Sequence, residues 1–208
     1  ARLDFSQIEP SWHHTFAQML LENIQIPELE NIFSNITFIT FNYDRCIEHY
    51  LSHAIANYTL LDLEASQEIV GRLRIIHPYG RVGRLPWQYG ETEGIEFGSD
   101  IHSSQMIEIA KQIRVFTEPV VRKEAADFMR QLIAEAELVV FMGFSYGSMN
   151  LDLLDLEQKR VPVRIIGTAY DISKPNVDRI KIDLKNLMGP DPSVVEGTEL
   201  VSMTCDEL

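Results

Sequence analysis

The feature that most constrains this chain is a set of short, nearly uninterrupted apolar runs. Ile36 to Phe41 carries no charge, and neither does Leu138 to Met142. Runs of this length, rich in β-branched and aromatic residues, suit strands buried on both faces better than helices, which need more residues. Each run ends abruptly in turn chemistry: Asn42-Tyr43-Asp44 after the first, Gly143-Phe144-Ser145 after the second. A further strand is expected at Arg74 to His77, closed by Pro78-Tyr79-Gly80, and another at Val163 to Ile166. A last strand is expected at Leu200 to Met203.

Between the strands the period changes to that of a helix. Ser11 to Ile24 opens on a Ser in capping position and places Phe16, Met19, Leu20 and Leu21 on its apolar side. Pro27 starts a short helix, and Arg45 to Tyr58 aligns Ile47, Tyr50, Leu51, Ala54 and Ile55. Later helices are expected at His102 to Ile113, Arg122 to Ala136, Leu151 to Glu157 and Lys174 to Leu187, with Pro86 to Gly98 as a loop. Buried strands alternating with helices through short connections predict an α/β fold: one Rossmann-like domain over residues 1–208, its sheet mostly parallel with helices on both faces.

Composition narrows the function classes. The formal net charge of −13 is spread along the chain and repels phosphate backbones, so general nucleic-acid binding is disfavoured. The exception is a local group of arginines, Arg72, Arg74, Arg81 and Arg84 around His77, which reads as a solvated loop or as a phosphate-facing patch. Cys46 and Cys205 are the only cysteines and stand far apart, which gives neither a disulfide framework nor a CxxC pair and points to a reducing, cytoplasmic setting. No apolar run is long enough to span a bilayer, so no membrane partner is expected.

In an open parallel sheet, ligands bind beyond the carboxyl ends of the strands. The residues there are Asn42 and Asp44, then His77, then Gly143 and Ser145. Each has an ordinary structural reading. Asp44 is a candidate helix cap, Asn42 tolerates an awkward turn, a lone His is often structural, and Gly143 permits close packing.

Taken together and in order, these segments resemble the sirtuin family and its bacterial sirtuin-like relatives. Ile39-Thr40-Phe41-Asn42-Tyr43-Asp44 with Glu48 resembles the family's strand and Asn-x-Asp turn. Ile75-Ile76-His77 followed by Gly80 resembles the strand leading to its catalytic His, and Val139 to Ser145 its later strand ending in Gly-x-Ser. The resemblance implies NAD as substrate: Asn42 would position the ribose or the attacking water, Asp44 the carboxamide, and His77 the ribose hydroxyls as general base. Gly143 and Ser145 would approach the ribose or phosphates. The residue types suit the chemistry, since breaking the N-glycosidic bond develops oxocarbenium character and His is a natural proton acceptor near neutrality.

Three departures qualify the resemblance. The family opens on a Gly-rich turn that cradles the pyrophosphate, whereas Ala1 to Asn35 contains no Gly; the first strand and loop are therefore expected upstream of Ala1. The two Cys pairs of the zinc module are absent, so no zinc is expected, and the resemblance points to zinc-free bacterial NAD hydrolases, many of them effectors of defence against phage, rather than to deacylases. Pro78-Tyr79 separates His77 from Gly80, where the family has Gly directly after His.

Other constellations carry less. His49 and His53 share a helix face without a third ligand, and a packing role is the expectation. Gly143-Phe144-Ser145-Tyr146-Gly147 fits the G-x-S-x-G elbow of α/β-hydrolases, but no His follows His102 to complete a triad. The leading expectation is thus an NAD hydrolase yielding nicotinamide and ADP-ribose, acting with self-assembly or a fused partner. Its rival is a non-catalytic nucleotide-sensing or scaffold domain that binds ADP-ribose or a protein partner, and a protein deacylase comes third.

Overall fold

The structure, a computed structural model, describes residues 11–90, 94–113 and 123–208. The expectations placed on residues 91–93 of the loop and on Arg122 lie outside the described residues. The chain is α/β, with short parallel sheets flanked by helices, and it falls into two compact units, Ala1–Val120 and Val121–Leu208.

In the first unit, β1 (Thr37–Ile39) and β2 (Arg74–Ile76) pair in parallel, with Thr37 opposite Arg74 and Ile39 opposite Ile76. A parallel pair needs a crossover, supplied by α2 (Cys46–Thr59) and α3 (Leu63–Val70). Before them stand α1 (Trp12–Leu21) and a 3-10 helix, Ile26–Asn31, with Pro27 in its first turn. Leu21, Leu29, Leu51, Ile55 and Val70 are fully enclosed in one apolar core, each worth about 1.5–3 kcal/mol of burial.

Two details of α1 differ from expectation. Ser11 occupies the N-cap position, yet its hydroxyl makes no cap hydrogen bond. Met19 is 72 % exposed while Ala17 and Leu21 are buried, so the apolar stripe is rotated away from Met19. Helix α3 escaped the sequence reading, although Asp62 caps it by accepting the Ala65 N–H at 2.8 Å. Helix α2 is more enclosed than a one-sided stripe implies, since Glu48, His49, Ser52 and His53 are buried along with the apolar residues. A short α4 (Ser103–Ala110) completes the described part of this unit.

In the second unit, β3 (Leu138–Phe141), β4 (Val163–Thr168) and β5 (Val195–Val201) form a parallel sheet in the order β3-β4-β5. The last strand starts upstream of the expected Leu200, and α6 (Ser148–Leu154) starts before the expected Leu151. α5 (Lys123–Glu135) precedes the sheet, α6 joins β3 to β4, and α7 (Lys174–Leu187) joins β4 to β5. Met129, Val163, Ile165, Leu184 and Met188 are fully enclosed. Among the described residues of this unit Lys159 is the buried cation, and its ammonium donates to the carbonyls of Ala134 at 2.9 Å and Ala136 at 2.6 Å, closing the end of α5.

Both free cysteines, Cys46 and Cys205, are half-buried. No helix among the described residues is long and apolar enough to cross a membrane.

Candidate functional site

Register decides what meets at the carboxyl edge of the first sheet. Because Ile39 pairs with Ile76, the chain leaves both strands side by side, and the Thr40 N–H still donates to the Ile76 carbonyl at 2.9 Å. Asn42 and His77 follow at once. The turn after β2 runs from His77 to Gly80, whose N–H donates to the His77 carbonyl at 3.0 Å, with Pro78 in the position that suits its fixed φ. Gly80 has φ +83°, and a Cβ there would collide with the Gln112 carbonyl oxygen.

The His77 ring is held from two sides. Its Nδ1 lies 3.0 Å from the Asn42 backbone carbonyl, and its Nε2 lies 3.7 Å from Glu48 Oε1. A carbonyl only accepts, so Nδ1 carries the hydrogen in that bond and Nε2 is the atom left to exchange a proton. The side chain is 6 % exposed.

Glu48 stands in the first turn of α2 and is 3 % exposed. Its Oε1 collects Arg81 Nη1 at 3.7 Å and the Gln88 amide at 3.5 Å in addition to His77. Burial pushes the Glu48 carboxyl up, but the His77 imidazole, the residue's own backbone N–H and the Gln88 amide outweigh it, so Glu48 sits below its ordinary value as a carboxylate. Glu48 Oε2 and His77 Nε2 are buried without a hydrogen-bond partner.

Asn42 and Asp44 are exposed beside this pair. The Asp44 carboxylate accepts the Cys46 N–H at 2.9 Å, one residue ahead of the N-cap Arg45, so its helix-ending role is real. Burial raises the Asp44 carboxyl, yet hydrogen bonds from Cys46 and the proximity of His77 bring it below its ordinary value. The reciprocal effect, led by burial and then by Asp44, lifts the Cys46 thiol to about 12, so that thiol is protonated and inert near neutrality.

The four arginines do not form one patch. Arg72 pairs with Glu30 on the surface before β2, and Arg74 opens that strand, whereas Arg81 and Arg84 lie past its end. Arg84 donates to the carbonyls of Gln88 and Gly90 and holds the following loop. Buried Arg45 donates to the carbonyls of Arg84 at 3.2 Å and Ile95 at 2.6 Å, closing the same loop from the helix side. His49 and His53 pack as expected: His49 stacks on Phe97 with centroids 4.1 Å apart and meets His53 edge-on. Burial and then His53 bring the His49 imidazole down to about 4, so it stays neutral.

Gly143 and Ser145 belong to the carboxyl edge of the second unit's own sheet, and both are exposed. Gly143 has φ +57°, its N–H donates to Thr168 Oγ1 at 2.9 Å, and a Cβ would lie 3.2 Å from the Cys205 sulfur. Tyr146 also has positive φ, and its buried hydroxyl donates to the Thr168 carbonyl at 2.8 Å. In this turn the left-handed residues are Gly143 and Tyr146, whereas a nucleophile elbow places its strain at the serine. Burial, reinforced by Cys205, lifts the Tyr146 phenol to about 12.

Sequence reasoning picked out Asn42, Asp44 and His77 from their places after strands, and two of the three make direct contact. It noted Glu48 only as part of a motif and missed Arg45, Gln88 and Thr168. The signal for Glu48 was an acid between Ile47 and the Tyr50-Leu51 pair of the helix's apolar residues, in a stretch that is buried throughout.

Fold and edge chemistry together define an α/β protein whose polar residues gather at the carboxyl ends of parallel strands, the usual ligand edge of such sheets. Comparison with protein-family models, curated proteins and solved structures finds no match to this chain.

Proposed function

We propose that the chain hydrolyses NAD, releasing nicotinamide and ADP-ribose, in the manner of the zinc-free bacterial sirtuin-like hydrolases that serve in defence against phage. One observation carries this reading: a histidine with its tautomer set by the Asn42 carbonyl and a buried carboxylate at its other nitrogen, both at the carboxyl edge of a parallel strand pair. In the reaction the C1′–N bond breaks and nicotinamide leaves with the bonding electrons. Water oxygen bonds to C1′, and the proton released goes to His77, whose Nε2 is enclosed beside Glu48 in the free chain and takes up the proton once NAD binding uncovers it. Asn42 orients the ribose or the water, and Asp44 receives the carboxamide. Gly143 and Ser145, on the second unit, carry no part of this argument.

The test is nicotinamide and ADP-ribose production by the wild-type chain, followed by His77→Ala and Asn42→Ala. Loss of a proton acceptor costs about 10²–10⁴-fold. No release above the uncatalysed background, or undiminished release from His77→Ala, overturns the reading.

A second reading, a nucleotide-binding scaffold without turnover, is favoured by the enclosure of the His77 ring between two acceptors of its own chain. It predicts saturable ADP-ribose binding by calorimetry with no product formed from NAD.

A further inference from the structure

The His77 ring stands between two acceptors, and a neutral imidazole has a single N–H. That hydrogen is committed to the Asn42 carbonyl at 3.0 Å, so in the neutral ring the Nε2 lone pair faces the Glu48 carboxylate across 3.7 Å. Both Nε2 and Glu48 Oε2 are buried and lack hydrogen-bond partners, and both side chains are more than nine-tenths enclosed. An ionised carboxylate in this position has no value as a packing group, because burying a charge costs several kcal/mol per ion and an apolar residue would fill the same space. What it does supply is a fixed negative charge beside the one ring atom free to take up a proton.

We propose that Glu48 is a positioning residue for His77: it holds the ring with Nδ1 on the Asn42 carbonyl and stabilises the positive charge that appears when Nε2 gains a proton. The arrangement extends the proposed NAD reaction, and rests on it for its purpose, but the coupling itself is a property of the free protein. Arg81 Nη1, also 3.7 Å from Glu48 Oε1, opposes it by neutralising part of the carboxylate charge. The other charged groups acting on the pair are Asp44, just ahead of α2 and electrostatically linked to His77, and Arg45, whose positive charge acts on Glu48. Gln88 is neutral and holds Glu48 Oε1 from the loop. Glu48 is thus the buried acid that a change of charge at His77 meets first, with Arg81 setting its strength.

The test uses the whole chain labelled with ¹⁵N in its histidines and reads proton occupancy of His77 Nε2 at fixed pH, with His77→Gln to assign the signals. An opposite charge within about 4–6 Å changes proton affinity by one to three powers of ten. Glu48→Gln, nearly isosteric and still able to hydrogen-bond, is expected to lower occupancy about tenfold. Arg81→Met, which leaves Glu48 in place, is expected to raise it. The opposite signs separate electrostatic coupling from loss of structure, since a packing defect moves both variants the same way. Unchanged occupancy in Glu48→Gln, or a fall in both variants, overturns the inference.

Activity is a separate arm. With NAD as probe, Glu48→Gln is expected to lower kcat about 10²-fold with little change in KM. If the NMR occupancies shift as stated while the wild-type chain releases no nicotinamide, the coupling stands and the NAD reading fails. If nicotinamide is released but occupancy is indifferent to Glu48, the hydrolase reading stands and the positioning role fails.

Discussion

The two units present the same kind of edge, the carboxyl ends of short parallel strands, and furnish it with opposite chemistry. At the first edge stand Glu48, His77, Arg81 and Asp44, all charged or able to become so. At the second stand Gly143, Ser145, Thr168, Tyr146 and Cys205, which hydrogen-bond but hold their protons: the Tyr146 phenol is lifted to about 12, and burial raises the Cys205 thiol as well. Among the described residues, the buried charged side chains of the first unit are Arg45 and Glu48, on the loop and at the edge. That of the second is Lys159, given over to the end of a helix. The first edge thus sets a buried carboxylate beside an imidazole, whereas the phenol of Tyr146 and the thiol of Cys205 at the second hold their protons more firmly than usual.

The largest effect that tests this contrast is catalytic. His77→Ala is expected to cut nicotinamide release about 10²–10⁴-fold, and Ser145→Ala less than about tenfold, the scale of one neutral hydrogen bond. Equal losses would erase the distinction between the edges. Next comes Lys159→Met in the second unit, which removes the ammonium from the Ala136 carbonyl and leaves the Ala134 carbonyl with the Arg160 N–H at 3.1 Å, and is expected to cost about 1–3 kcal/mol in urea unfolding. A neutral result would mean that the ammonium contributes nothing beyond its own desolvation.

Gly143→Ala is expected to destabilise by about 1–2 kcal/mol, because an L residue at φ +57° is strained and its Cβ crowds the Cys205 sulfur. Thermal unfolding of this variant, alone and with Cys205→Ala, separates backbone strain from the sulfur contact.

The smallest effect is a slope against pH. The His49 imidazole is brought down from 6.5 to about 4 by burial and by His53, so the unfolded chain binds its proton more readily than the folded one. Its contribution to stability is whole above about 6.5 and drains away as pH falls from 6.5 to about 4. Glu48 and Asp44, both lowered, begin to withdraw stability as pH falls into the ordinary carboxylate range and finish doing so below it. His49→Phe, which keeps an aromatic ring against Phe97, should flatten the upper part of this acid slope and leave the lower part. An unchanged slope would place the acid sensitivity elsewhere than this stack.

Much of the fold was legible because strands show themselves as apolar runs and helices as periodic ones, although the runs are not buried on both faces as expected: Leu138 and Val140 of β3 are exposed and β1 is only partly buried. Lys174–Leu187 forms the helix its pattern predicts, and Leu138–Phe141 the strand. Helix α3 was not read, since its eight residues carry only a brief period and its clearest signal is the cap at Asp62. Strand β5 was recognised only at its end, because Gly197 and the acids Glu196 and Glu199 break its apolar pattern. At the site, turn chemistry after strands exposed Asn42, Asp44 and His77, but nothing local to Glu48, Arg81 or Gln88 announces that they meet at one carboxylate oxygen.

The sequence by itself determined which segments become strands and helices and which polar residues stand at strand ends, because these follow from hydrophobic period and turn preference over a few neighbouring residues. Only the tertiary structure decided that His77 is fastened to the Asn42 carbonyl and faces Glu48, residues brought from separate segments by the pairing of Ile39 with Ile76. Electrostatic partnership depends on distance and burial in space, and a linear order of residues specifies neither.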